Sequence, residues 1–201
     1  DQIRMIDSVE TKSMTLSNAS NLIRGELGSM VNLTVFRPSE RMKLTFKLTR
    51  ANIIVKHVPY WGVDEDGIGY IRITKFSKNT AKDFSEALND LKAQGMTGLV
   101  IDLRGNSGGL LNNAISMLDK LTDRGVNLLN TRGRNDKYNK ERNSRRVPTI
   151  SREIPIAILI NQSSASASEI VAGVIQDLDR GVIVGKQSFG KGLVQSMFNL
   201  N

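Results

Sequence analysis

Two stretches near the start of the chain, "SMVNLTVFR" and "MKLTFKLTR", alternate apolar and polar residues, and that period of two predicts a pair of strands joined through the turn-forming "PSE". "IRMIDSV" before them is a further strand candidate. "TLSNASNLIRGE" predicts a short helix with Leu16, Ala19, Leu22 and Ile23 on one face. From Gly67 the pattern changes. "IGYIRITKF" reads as a strand, and "NTAKDFSEALNDLKAQG" as a helix capped by Asn79 or Thr80, lined by Phe84, Ala87, Leu88 and Leu91, and stopped at Gly95. "TGLVIDLRG" is a buried strand, "LLNNAISMLDKLTDRG" a second helix running to a glycine, and "VNLLNT" a strand. "IPIAILIN" is the next buried strand, followed by a helix over about residues 166–178, then "GVIVG" and a last strand, "GLVQSMFNL". Continuous apolar strands alternating with helices imply an α/β fold around a largely parallel sheet with helical cover. The expected organisation is a small β-rich unit over 1–50, a connector over 51–66 and a strand–helix alternating core over 67–201.

Composition narrows the chemistry. The 201 residues include no cysteine, which removes disulfides, thiolate nucleophiles and cysteine metal sites. His57 is the only histidine, and the residues around it suggest a strand or loop histidine rather than a ligand cluster. No apolar run reaches the length of a membrane span. The opening "DQIRMIDSV" reads as the interior of a fold and carries no leader, so the expectation is a piece of a longer chain whose destination is unmarked. The net charge of +8 is concentrated in "RGRNDKYNKERNSRR", residues 132–146. A basic stretch can hold nucleic acid, with a steep salt dependence. With Tyr138 as its one aromatic and no binding motif, it reads more simply as a solvated loop, and no nucleic-acid partner is expected.

The serine-rich "NQSSASASEI", 161–170, stands between a buried strand and a helix. Ser166 with Glu169 three residues on is a capping-box pattern. A serine there also sits beside free backbone N–H groups and the positive helix end, where an oxyanion could be held. Cap and nucleophile use the same geometry, and the local pattern alone favours the cap. A serine nucleophile needs a base, and with histidine scarce lysine is the substitute, provided burial or cationic neighbours keep it neutral. "GVIVGKQSFGKGLVQ" offers Lys186 and Lys191. Lys191 lies between two glycines after Phe189, a setting open to close packing and exclusion of water, and Gln195 four residues on could accept a hydrogen bond from its amine. "GKQSFGKG" also fits the phosphate-loop spacing, but Gly192 stands where the magnesium-binding hydroxyl belongs and the residues after it alternate like a strand, so that reading is set aside.

Three motifs in order, "DLRGNSGG" at 102–109, "SASASEIVAG" at 164–173 and "GKQSFGKGLVQ" at 185–195, together resemble the C-terminal processing, or tail-specific, proteases, which are Ser-Lys endopeptidases with an embedded PDZ domain. The resemblance extends to residues 1–50, which look like the C-terminal part of such a PDZ domain. It implies a crotonase- or Clp-protease-like core, truncated at its C-terminal end. It also implies Ser166 as nucleophile, Lys191 as base, Gln195 as its aide, and an oxyanion hole from the backbone of Ala167 and of Gly108, with Gly109 close behind. Ser164 and Ser168 become small packing neighbours and Lys186 a bystander. No cofactor or metal is implied. The implied substrates are unfolded or tail-exposed proteins, and the implied setting is the bacterial cell envelope, in the periplasm. Ser107 stands where the family often has proline, and Ser188 where threonine is common. A chain that begins after the carboxylate-gripping loop and ends six residues after Gln195 leaves the activity of this stretch by itself open. The alternative is a PDZ-type peptide-binding scaffold without hydrolysis.

Overall fold

The computed structural model describes residues 1–53 and 55–195. The chain divides into two compact units, Asp1–Val55 and Lys56–Asn201. In the first, β1 (Gln2–Ile6), β2 (Val9–Glu10), β3 (Met30–Arg37) and β4 (Met42–Thr49) form an antiparallel sheet of order β2-β1-β3-β4. The two alternating stretches pair along their whole length, from Met30 opposite Thr49 to Arg37 opposite Met42. Helix α1 (Leu16–Ile23) starts at Thr15, whose hydroxyl accepts the N–H of Asn18 at 3.2 Å. None of its residues is buried, so the apolar face expected of Leu16, Ala19, Leu22 and Ile23 is not covered within the described residues.

The second unit is built on β5 (Tyr60–Val63), β6 (Ile68–Arg72), β7 (Gly98–Asp102), β10 (Ile156–Ile160) and β11 (Val182–Gly185), in the order β11-β10-β7-β6-β5. Four of these strands are parallel, and β5 pairs antiparallel at the edge. The connections carry α2 (Thr80–Ala93), α3 (Leu111–Leu118) and α4 (Ala167–Asp177). Ile71, Leu99, Ile101, Ile156 and Ile158 point one way in register and are buried with Phe84, Leu88 and Leu91 of α2, Met117 and Leu118 of α3, and Val171 and Ile175 of α4. The alternate positions Tyr70, Val100, Ala157 and Leu159 stay half-buried. Among the described residues, then, the expected helical cover lies on one face of the sheet. Asn79 begins α2, and Gly95 follows its end with φ +79°, a left-handed conformation that suits glycine. No described helix is long and apolar enough to cross a membrane.

Four expectations about elements change. Tyr60–Val63 lies in the stretch read as connector, yet it is a strand of the main sheet, because Trp61 and Val63 pack against the core. The helix expected to reach Gly125 ends at Leu118. Just beyond it, Asp119 Oδ1 accepts the N–H of Arg145 at 2.8 Å, and Lys120 O accepts that of Thr149 at 2.8 Å, so distant chain turns the segment aside. The basic stretch is not wholly loop. β8 (Asn127–Thr131) and β9 (Lys140–Asn143) form a two-stranded ribbon, with a 3-10 turn at Asp136–Tyr138. "KERN" has no apolar alternation to announce a strand, and its strand character comes from backbone pairing with β8. Finally, residues 192–195 of the expected last strand adopt no regular structure, and its remaining residues lie outside the described ones.

Candidate active site

The site gathers where the parallel strands β7 and β10 end, the usual place for chemistry in such sheets. After β10, Asn161 turns the chain. Its Oδ1 accepts the N–H of Ser163 at 3.1 Å and of Gly105 at 2.9 Å, tying "SASAS" to "DLRG". Ser164 is fully buried, its hydroxyl donating to Leu103 O at 2.8 Å and accepting from Asn161 N–H at 3.0 Å. Ser168 is fully buried as well and donates to Asn106 O at 2.8 Å. Both are packing serines with their hydrogen-bonding capacity spent on backbone. Ser166 differs: it is only partly buried, at the N-cap of α4, with φ 55° and ψ −113°. An N-cap residue normally sits in the extended region. A non-glycine residue held at positive φ costs on the order of 1–3 kcal/mol, and such strain clusters at functional sites.

The backbone of "NSGG" is pressed against this corner. A Cβ on Gly108, whose φ is +93°, would lie 2.6 Å from Ala165 O, 2.9 Å from Ala167 N and 2.9 Å from Ser166 Cβ. A Cβ on Gly109 would overlap the Phe76 carbonyl, which accepts the N–H of Leu110 at 2.7 Å. Both glycines are therefore required by close approach. The N–H of Ala167, at the first position of α4, has no acceptor within the helix. That of Gly108 donates to Asn106 Oδ1 at 2.9 Å, so an oxyanion drawing on Gly108 would share its N–H with Asn106. Asn106 was not singled out from the sequence. It is fully buried and also donates to Ile73 O at 3.0 Å while its own carbonyl accepts Ala165 N–H at 3.1 Å, and so fixes "NSGG" and "SASAS" to one another.

Lys191 is partly buried, and its Nζ donates to Gln195 Oε1 at 3.0 Å, the pairing expected from their spacing. Ser166 and Lys191 do not hydrogen-bond to each other in this arrangement, and Phe189 is exposed, so the described residues do not form the apolar shelter its place beside Lys191 suggested. The reason is that residues 186–195 are in no strand or helix that could pack over the amine. They are anchored instead by Glu169. Its Oε1 accepts from the Ser188 hydroxyl at 2.7 Å and from Gly190 N–H at 2.6 Å. Its Oε2 accepts from Ser166 N–H at 2.6 Å and from Lys191 N–H at 2.9 Å. Burial pushes this carboxyl up, but the bonds from Ser188, Gly190, Ser166 and Lys191 outweigh it and leave it below the ordinary glutamate value. From sequence, Glu169 is legible only as a cap partner; its grip on 188–191 is a tertiary fact. A threonine at position 188 would keep the same hydroxyl.

Beneath the site, Asp102 is completely buried and accepts from Tyr70 Oη at 2.7 Å, from Arg72 Nη1 at 2.6 Å, and from Arg104 at 2.9 Å to its N–H, 2.9 Å to Nε and 2.8 Å to Nη2. Lys186 is exposed, away from these bonds. His57 lies 3.4 Å from Thr74 Oγ1 through Nδ1 and joins no cluster. No group of three or more potential metal ligands occurs among the described residues.

Residues 67–201 match the model of Peptidase family S41, and the chain belongs to that family. The whole chain aligns with a carboxyl-terminal-processing protease of Picosynechococcus sp. at 40% identity over 48% of that protein, and with a carboxy-terminal-processing protease of Bartonella bacilliformis at 41% identity over 46% of it. Among solved structures, a photosystem II D1 C-terminal processing protease superposes with a TM-score of 0.60 at 29% identity, covering 96% of this chain and 53% of that one. The chain is thus similar to carboxyl-terminal processing proteases of bacterial and chloroplast origin, and it spans about half the length of the curated relatives it matches.

Proposed function

We propose that this chain carries the catalytic centre of a serine endopeptidase that acts near the C-termini of protein substrates through a Ser166–Lys191 dyad assisted by Gln195. The observation that carries the reading is the convergence of all three motifs on one helix start: Gly108 against Ser166 and Ala167, and the backbone of both Ser166 and Lys191 on one carboxylate. In the reaction, the Lys191 amine acts as base and takes the Ser166 hydroxyl proton as Oγ attacks the scissile carbonyl. The N–H of Ala167, with Gly108 or Gly109, holds the oxyanion, each donor contributing about 3 kcal/mol. Lys191 passes the proton to the leaving amine, which departs, then takes one from the water that attacks the acyl-enzyme and returns it to Ser166 Oγ as the ester bond breaks and the acid product leaves. Gln195 Oε1 orients the amine. A substrate laid over the half-exposed site would supply the shelter that the described residues leave open. Residues 1–50, read as part of a PDZ domain, would recruit unfolded or tail-exposed chains, and the family setting points to the bacterial cell envelope.

The test is cleavage of a disordered protein by the intact enzyme. Ser166→Ala and Lys191→Ala are each expected to abolish turnover, with Lys186→Ala keeping most of it. Activity surviving Lys191→Ala but lost in Lys186→Ala would move the base. An intact wild-type enzyme that binds tailed peptides without cleaving them would favour the scaffold reading.

A further inference from the structure

A dyad is only as good as the distance between its members, and here the two come from elements with little else in common. Ser166 is fixed by α4 and the buried serines beside it. Lys191 sits in a segment without regular structure whose other backbone ties are Lys186 N–H to Ile160 O at 3.2 Å and Phe189 N–H to Ser164 O at 2.9 Å. Resting on the dyad reading above, we propose that Glu169 is the positioning residue that sets the base against the nucleophile. Its Oε2 receives the backbone N–H of both residues, so the two nitrogens can be no further apart than two hydrogen bonds laid end to end.

A simple helix cap does not account for this. A capping glutamate at N3 returns to one N–H, that of the N-cap. Glu169 takes three more donors, all from 188–191, and fills both oxygens. Only an ionised carboxylate accepts at every lone pair. A glutamine at 169 must turn its NH2 group either toward the Ser166 and Lys191 amides or toward that of Gly190, and no backbone N–H can accept from it. An aspartate keeps the charge at the positive helix end but is one methylene short of the loop.

The experiment is steady-state kinetics of Glu169→Gln and Glu169→Asp in the intact enzyme, beside Ser166→Ala and Lys191→Ala. Misplacing a catalytic group by about 1 Å costs about a hundredfold. Both Glu169 variants are therefore expected to lose about tenfold or more in kcat with KM within about threefold of wild type. A smaller loss in kcat, or a larger move in KM, overturns the proposal. If the two alanine variants stay active, the dyad reading itself falls. If they are dead while both Glu169 variants turn over normally, only the positioning role falls. Should either Glu169 variant fail to fold, amide hydrogen exchange of the wild-type enzyme decides. The amides of Gly190 and Lys191 are then expected to exchange about tenfold or more slowly than those of Gly192 and Leu193 next to them, and similar rates overturn the proposal.

Discussion

The two units of this chain are held together in different ways. Among its described residues, Asp1–Val55 buries only Ile6, Val31 and Val35 of the apolar ones and leaves Leu16, Leu27, Phe46 and Leu48 exposed. Its register is kept by the β1–β3–β4 ladder and by Arg50. That guanidinium donates to Ile23 O at 2.8 Å, Leu22 O at 2.9 Å, Met30 O at 2.7 Å and Ser29 Oγ at 2.9 Å, clamping the end of α1 to the sheet. Lys56–Asn201 buries a continuous core running from Val58 to Ile175 and keeps its polar networks, Asp102, Asn106 and Glu169, for the strand ends where the site forms. A densely packed sheet fixes where its loops start, and hydrogen-bonded loops can then hold strained residues such as Ser166. A unit with little core relies on individual bonds, each of which matters locally.

That comparison can be broken from either side. Phe84→Ala, deep in the α2 interface, is expected to cost about 3–5 kcal/mol of unfolding free energy by chemical denaturation. A cost under about 1 kcal/mol would show that the α/β unit does not depend on packing as described. Arg50→Ala is expected to cost about 2 kcal/mol, leaving the carbonyls at the end of α1 without their donor. Arg50→Lys should recover only part of this, since one ammonium cannot reproduce the planar fork. Full recovery would mean that the charge matters and the geometry does not. The smallest effect is in acid. Burial pushes the Asp102 carboxyl up, but hydrogen bonds from Arg104 and Tyr70 and the nearby Arg72 charge outweigh it and hold it down to about 2. A depressed value means that this stabilisation is complete above the ordinary aspartate range and drains away as the pH falls from about 4 toward 2. With Arg72 and Arg104 half-exposed and screened, it amounts to about 1–2 kcal/mol. The difference in stability between wild type and Asp102→Asn should shrink by that amount between pH 5 and pH 2, and a constant difference would remove Asp102 from the account.

Periodicity located most of the core elements because burial on one face writes itself into the residues: Phe84, Ala87, Leu88 and Leu91 of α2 are all fully buried. It missed β5, where only Trp61 and Val63 of a four-residue strand carry the pattern, and β9, which exists through pairing with β8 rather than through its own alternation. It also overran α3, which distant residues end. At the site, the side chains proposed to react, Ser166, Lys191 and Gln195, came from the three ordered motifs and the resemblance they carry. The roles of Asn106 and Glu169 were not readable there, since each joins segments dozens of residues apart or supplies several bonds from a loop that has no pattern of its own.

By itself the sequence determined the alternation of strands and helices, the absence of cysteine chemistry, the family, and which serine stands at the start of the helix. Only the tertiary structure decided that Ser164 and Ser168 are buried supports while Ser166 is strained and accessible, that two glycines are needed for backbone to touch backbone, and that one carboxylate ties 166 to 191. The physical reason is that side-chain burial repeats along the chain and leaves a local trace. Hydrogen bonds between distant backbone groups depend on where folding brings them, and leave none.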